Sequence, residues 1–356
     1  MSLSEDVDKR GVQKVQIMDE PPANLPDDTV ATGLRTHYGL AVTAITFLPL
    51  GHDTAAWVYR VQTVDDTAYF LKVRVSVTNA PSLLVPRYLQ EHGVAQVIAP
   101  LPTTTGALWA EVAGYALILY PFVAGTTGMA HGMTSPQWIA YGAILRQIHT
   151  TPITAEFAHR LRRDTFVPAG AATVRAIDAL LSGRTVADPV AQDLATLWHE
   201  RWGTVQTLVA RAEELGRDLA QRAPPSVLCH ADIHINNVLL DAGGTVWIVD
   251  WDDTVLAPKE RDLMFVVGGG LKRTVVGPQE EELFFQGYGA TTIDPLALTY
   301  YRYTLAIKDI GEYSDEVFLR PDLGPLTRRS SAGRFLRMFE PGRIVELAFA
   351  SDGGTG

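Results

Sequence analysis

Val227-Leu-Cys-His230-Ala-Asp232-Ile-His234-Ile-Asn236-Asn237-Val-Leu-Leu-Asp241-Ala-Gly243-Gly244-Thr-Val-Trp-Ile-Val-Asp250-Trp-Asp252-Asp253 is the stretch on which the fold turns. Two apolar runs flank Gly243-Gly244, the composition of a β-hairpin. With a two-residue loop at the glycine pair, Ala242 pairs with Thr245, Leu240 with Trp247 and Val238 with Val249, which sets Asn237 opposite Asp250. Directly opposed residues share a face. An amide oxygen and a carboxylate therefore converge at the open end of the hairpin, and Asp232 stands on the loop leading into it. A few oxygen ligands, incomplete without a substrate, suit Mg²⁺ held jointly with phosphates. An aspartate beside such a pair can accept the proton of a hydroxyl that attacks a phosphoryl group.

Upstream of the hairpin the pattern changes from strands to helices. Residues 1–29 are polar and end in a Pro-rich run, which predicts a flexible leader. Alternating apolar residues predict strands over Val42–Leu48, Ala56–Thr63 and Ala68–Val75. A helix over Pro81–His92 ends at Gly93, and further strands follow near Val97–Ala99, Leu108–Val112 and Tyr115–Tyr120. Pro121-Phe122-Val123-Ala124-Gly125-Thr126-Thr127-Gly128 interrupts this pattern and predicts the hinge between two lobes. Beyond it the periodicity is helical over Ser135–His149, Ala171–Ser182, Pro189–Arg222, Gln279–Tyr288 and Leu296–Ser314. The expected architecture is α+β and bilobal, with an antiparallel β lobe over 30–120 and a larger, mainly helical lobe over 121–356.

Composition narrows the function. The 356 residues carry a formal charge of −10 with no clustered Lys and Arg, which argues against a nucleic-acid surface. A single cysteine, Cys229, excludes an internal disulfide and a Cys-based zinc site and fits a reducing compartment, so a cytoplasmic location is expected. The N-terminal stretch has acidic residues and no apolar h-region, and no apolar run approaches the length of a membrane span. No partner protein is implied.

The spacing His230-x-Asp232-x-x-x-x-Asn237, with Asp250 after an apolar strand, resembles the catalytic and metal motifs of the aminoglycoside phosphotransferase family, relatives of the protein kinases. Leu228–His234, Ile248–Asp252 and Leu256-Ala257-Pro258-Lys259-Glu260-Arg261-Asp262-Leu263-Met264-Phe265 are similar to the spectinomycin phosphotransferases within that family. So are Leu145-Arg146-Gln147-Ile148-His149, Tyr300-Tyr301-Arg302 and the tail from Met338 to Ala350. The resemblance spans nearly everything after the leader. It implies a protein-kinase-like fold and transfer of the γ-phosphoryl group of ATP, or GTP in its place, to an aminocyclitol or aminoglycoside hydroxyl, conferring antibiotic resistance.

Roles follow residue by residue from that resemblance. Asp232 is the expected catalytic base, Asn237 and Asp250 are the expected Mg²⁺ ligands, and Lys72 is the strand lysine on the α- and β-phosphates. Gly51, Asp53 and Thr54 belong to the loop covering the phosphates, Tyr120 lines the back of the adenine pocket, and the Pro121 carbonyl and Val123 amide contact adenine. His234, Trp251, Asp252 and Asp253 are candidate substrate contacts.

One departure stands out. The helix after the lysine strand normally supplies an acid to that lysine, yet Asn79, Ala80 and Ser82 occupy the expected place and Glu91 sits at the far end. Plainer roles are expected for the neighbours: His230 braces the catalytic loop, Asp262 accepts amide hydrogen bonds that hold it, and His149 and Cys229 are packed core residues. The same fold would also serve a hygromycin A-type antibiotic or a metabolic alcohol such as choline or homoserine. A nucleotide-binding pseudokinase would share everything but the reaction.

Overall fold

The computed structural model describes residues 21–22, 24–48, 56–183, 188–269 and 276–353. It begins with helix α1 (Asp27–Tyr38), followed by β1 (Val42–Leu48), β2 (Ala56–Thr63), β3 (Ala68–Arg74), α2 (Pro81–Glu91), β4 (Ala110–Val112) and β5 (Tyr115–Pro121). The strands form one antiparallel sheet in the order β1-β2-β3-β5-β4. Leu71 and Val73 of β3 are fully buried and join Val30 and Leu34 of α1 in a small core. Alternation sends Lys72 to the other face, where it pairs laterally with Val58 and Ile118.

The expected leader is shorter than 29 residues. Asp27 and Asp28 sit in the first turn of α1, Gly39 closes it with a left-handed φ of 70°, and Leu25 is already buried in the small core. Residues 1–20 of that leader lie outside the described residues.

The second lobe continues with β6 (Gly125–Thr127), α3 (Gly128–His131), α4 (Ser135–Thr150), α5 (Ala155–Ala158), α6 (Ala171–Leu181) and α7 (Pro189–Arg222). After them come β7 (Val227–Cys229), β8 (Val238–Asp241), β9 (Val246–Ile248), β10 (Val255–Ala257) and α8 (Glu260–Leu263). A 3-10 turn (Val267–Gly269), α9 (Pro278–Tyr288), α10 (Pro295–Phe318), α11 (Pro325–Arg337) and α12 (Ile344–Asp352) complete it. Helix α10 is central, touching α6, α7, α8, α11 and α12.

Two findings differ from the sequence expectation and bear on the site. Helix α2 packs with the helical lobe: Val85, Leu89, Val94 and Val97 belong to the large core, and Tyr88 stacks on Phe157 at 3.9 Å. Residues 96–98 do not form a strand of the first sheet. They make a parallel bridge to β9, with Ile98 N donating to Ile248 O at 3.2 Å and Ile248 N to Gln96 O at 2.9 Å.

The hairpin itself is shifted by one residue: Val238 pairs with Ile248, Leu239 with Trp247 and Leu240 with Val246. The loop is one residue longer than expected because Asp241 closes it. Its Oδ1 accepts Thr245 N at 2.9 Å, its Oδ2 accepts Trp247 Nε1 at 2.9 Å, and only Gly244 of the loop needs a left-handed φ, 83°.

Helices α4 and α9 approach at the backbone. A Cβ on Gly142 would lie 2.0 Å from Phe284 O, and one on Gly287 1.8 Å from Ile139 O. Gly142→Ala should therefore force the helices apart and cost about 3 kcal/mol. Gly203→Ala meets nothing within 4 Å inside α7 and should gain roughly 0.5–1 kcal/mol from helix propensity. Thermal denaturation of the two variants checks both, and equal melting temperatures would disprove the close contact.

Candidate active site

The loop carrying Asp232 is fixed from below by a buried carboxylate. Strands β7 and β10 pair antiparallel, and the chain then turns at Ala231, whose φ of 69° is unfavourable for a residue with a Cβ by about 1 kcal/mol. Asp262 on α8, fully buried, overcomes this: Oδ2 accepts His230 N at 2.9 Å and Oδ1 accepts Ala231 N at 2.6 Å. His149 Nε2 lies 3.0 Å from Oδ2, and its Nδ1 lies 2.8 Å from the Tyr288 hydroxyl. Burial alone would raise the Asp262 pKa, but the hydrogen bond and charge of His149, helped by His230 and the Ala231 amide, hold it below the usual carboxylate range. His149, Cys229 and Asp262 are close enough to suggest a metal site. These hydrogen bonds already engage both ring nitrogens and both carboxylate oxygens, so the cluster is a loop brace. Burial also pushes the Cys229 thiol well up, away from thiolate.

Asp232 itself is half-buried. Asn237 Nδ2 donates to its backbone oxygen at 2.8 Å and to Oδ2 at 3.2 Å, and His234 Nε2 lies 3.5 Å from the same Oδ2. With the amide NH₂ committed to Asp232, Asn237 Oδ1 faces the opposite way as an acceptor. His230 braces the next turn, its Nε2 lying 2.9 Å from Val249 O.

Asn237 lies across from Val249, donating no register to Asp250: Val249 N binds Asn237 O at 3.1 Å. Asp250 enters the site by another route, a left-handed φ of 65° two residues after the end of β9. Its carboxylate is open to solvent yet crowded by protein. Its pKa is raised, first by burial, against the pull of Lys72, with Asp252 and Asp232 adding repulsion.

Lys72 finds its partner here. Its Nζ lies 3.1 Å from Asp252 Oδ2, and Arg74 Nη1 lies 3.3 Å from the same oxygen. Burial raises the Asp252 pKa, but the two cations outweigh it and leave the group low. Asp252, expected at the substrate, is thus turned to the sheet lobe.

The remaining expected substrate contacts fall in different surroundings. Trp251 is 4% exposed and packs against His230, with ring centroids 4.6 Å apart, so it belongs to the core. Asp253 lines a cavity beside α10 and there forms an ion pair with Lys308 at 2.5 Å. His234 is half-buried beside Asp232, its ring edge-on to Phe265.

At the hinge, Tyr120 pairs with Phe70, and burial, then the charges of Asp252 and Asp250, pushes its hydroxyl pKa up. Phe122 N donates to Ala68 O at 3.4 Å, so in the trans peptide the Pro121 carbonyl points away from the sheet. Val123 follows directly and is half-buried. Gly51, Asp53 and Thr54 lie outside the described residues.

The sequence reading missed Asp309 and Glu312. They sit three apart on α10, hence on one helix face, a signal available in the sequence. Burial first, then Glu312, with Asp232 adding and Lys308 opposing, raises the Asp309 pKa to about 7. Burial also raises Glu312. A cavity of about 700 Å³ opens beside them, lined by Asp253, Lys308, Glu312, Arg162 and Tyr301 among others.

Comparison with known proteins now fits this geometry. Residues 46–299 match the model of the phosphotransferase enzyme family. The structure of a spectinomycin phosphotransferase, APH(9)-Ia, in complex with ADP and spectinomycin superposes with a TM-score of 0.80. It is 30% identical, and the match covers 91% of this chain and 98% of that one. Protein StrN of Streptomyces griseus is 28% identical over 222 residues, 61% of this chain and 67% of that protein. The choline kinase LicA of Streptococcus pneumoniae, 14% identical over 91% of this chain and 99% of that one, shares the fold with a TM-score of 0.56. The chain belongs to the phosphotransferase enzyme family and is an ATP-dependent small-molecule phosphotransferase of the protein-kinase-like fold.

Proposed function

We propose that this enzyme transfers the γ-phosphoryl group of ATP to a hydroxyl of an aminocyclitol, with spectinomycin the leading acceptor, and thereby inactivates the antibiotic. The observation that carries the reading is Asp232, set on a braced loop with one carboxylate oxygen engaged by Asn237 and the other left for an incoming hydroxyl. The acceptor side supports it: Asp309 and Glu312 are carboxyls near Asp232 whose pKa values burial raises, and an ammonium-bearing ring docked there would draw them into the ionised form and pair with them. Identity of 30% with a spectinomycin phosphotransferase points the same way.

The donor set of Asn237 Oδ1 and the Asp250 carboxylate is all oxygen, and the Asp250 pKa is raised first by burial, with Lys72 opposing and Asp252 and Asp232 adding repulsion, so a bound cation would favour its ionised form. That chemistry fits Mg²⁺, which neutralises charge on the nucleotide phosphates when bound. In this mechanism Lys72 holds the α- and β-phosphates, and Asp232 accepts the hydroxyl proton as the oxygen attacks in line. Transfer is direct, with no covalent enzyme intermediate. The Pro121 carbonyl and Val123 amide meet adenine, and Tyr120 backs the pocket.

ATP consumption in the presence of spectinomycin, hygromycin A, kanamycin, a macrolide or choline, with mass analysis of the product, tests the acceptor. A phosphorylated aminocyclitol is expected, and turnover confined to choline would discard the antibiotic reading. Asp232→Asn should keep Mg·ATP binding while kcat falls about 10²–10⁴-fold; full activity would remove Asp232 as the base. Asp250→Ala should abolish the Mg²⁺ dependence of nucleotide binding in calorimetry.

Asp309 gives a pH test. Its folded pKa is raised to about 7, so the folded state holds a proton that the unfolded chain has released, and stability declines as pH rises from about 4 to 7. Asp309→Asn removes that penalty. Its melting temperature should exceed the parent's by a few degrees at pH 8 and by less at pH 5, while affinity for a cationic acceptor drops. A pH-independent difference would rule out the raised pKa.

A further inference from the structure

Lysines on long flexible stems need an anionic partner to present their ammonium in one place, and kinases usually supply it from the helix after the lysine strand. Helix α2 supplies none near Lys72: its acid, Glu91, lies at the C-terminal end and bonds Arg87 at 2.9 Å. We propose that Asp252 replaces the helix acid as the positioning residue for Lys72, so that one tripeptide, Asp250-Trp251-Asp252, sets both the metal ligand and the phosphate-binding lysine. This rests on the reading of Lys72 as a phosphate contact.

Several contacts hold Asp252 in that role. Its Oδ2 lies 3.1 Å from Lys72 Nζ and 3.3 Å from Arg74 Nη1. Its backbone oxygen accepts Asn79 Nδ2 at 2.5 Å and Arg162 Nη2 at 3.2 Å, so the segment before α2 and the helical lobe both grip the same residue. Between the two carboxylates, Trp251 is buried against His230 and fixes the spacing.

Exposure separates positioning from stability. The Asp252 side chain is 38% exposed and that of Lys72 18%, so the pair contributes little to folding in water. Its value lies in geometry. The bond also crosses between lobes, from β3 to the loop after β9, so bringing the lobes together and orienting the lysine are one event. The acid that sequence comparison with kinases fails to find on α2 has moved to the loop two residues beyond the metal ligand.

A double-mutant cycle read by calorimetry with Mg·ADP tests this. Asp252→Asn should weaken Mg·ADP about tenfold in the parent and less than about twofold in a Lys72→Met background. Asp252→Glu should recover part of the loss, and melting temperatures should stay within about two degrees of the parent. Equal losses in both backgrounds would overturn the proposal, because Asp252 would then act without Lys72. Should Lys72→Met alone leave Mg·ADP affinity unchanged, the phosphate role of Lys72 fails instead, a distinct result. If Asp252→Asn does not fold, the same cycle with Asp252→Glu and Lys72→Arg replaces it, and additive effects there overturn the proposal equally.

Discussion

A carboxylate with no solvent around it, Asp262, receives two consecutive backbone amides and an imidazole, and the rest of the site depends on that arrangement. An isolated buried carboxylate would be costly, but three donors converge on this one and keep it ionised. Its partners come from different elements: the loop after β7, the end of α4 and, through His149, Tyr288 at the end of α9. Because α4 and α9 meet glycine to backbone, His149 has little freedom to retreat. The strained φ of Ala231 persists because its own amide is held by Asp262 and the following Asp232 amide donates to His230 Nδ1 at 3.3 Å, so Asp232 emerges one residue later at a fixed angle. Rigidity built far from solvent is thus delivered to a carboxylate at the cleft.

The two lobes share more structure than a single hinge. Helix α2 lies between sheet and helices in sequence, yet its apolar face is buried in the large core, and residues 96–98 run beside β9. Strand β6, just past the hinge, pairs with β8, and Gly125 comes so close to Leu240 O that a Cβ would stand 2.4 Å away. The catalytic hairpin is therefore flanked on one edge by the hinge strand and on the other by the chain leaving α2. Both connections between lobes terminate on the hairpin that carries Asn237 and leads to Asp250.

Much of this was legible in the sequence, for reasons that differ by element. The β-lobe strands followed from alternation, and Lys72 fell on the cleft face because Leu71 and Val73 had to fall on the other. The long helices were marked by Pro at their first turns, as in α4, α7 and α10. Helix α1 carried the same kind of signals, an acidic first turn and Gly39 at its end, masked by the proline-rich run before it. The hairpin register was off by one because the glycine pair suggested a two-residue loop, whereas Asp241 caps a longer one. A slip of that size normally transfers every side chain to the opposite face. Here Asp250 lies beyond the ladder, and its left-handed backbone brings it to the cleft all the same.

What the sequence could not display was the division of labour among neighbouring acids. Asp250, Asp252 and Asp253 are nearly contiguous, and no pattern of composition says which faces a metal, which a lysine and which a helix. In three dimensions Lys72 and Arg74 bond Asp252 and Lys308 bonds Asp253, while Asp250 has a pKa above the usual range, raised first by burial despite the charge of Lys72. The sorting has a direction. Asp252 and Asp253 are held low by cations that bond them directly, whereas Asp250 and Asp309 are raised chiefly by burial, which Lys72 and Lys308 oppose without overcoming. Asp232 adds repulsion to both groups, so the two carboxyls with raised pKa values and Asp232 lie within electrostatic reach of one another.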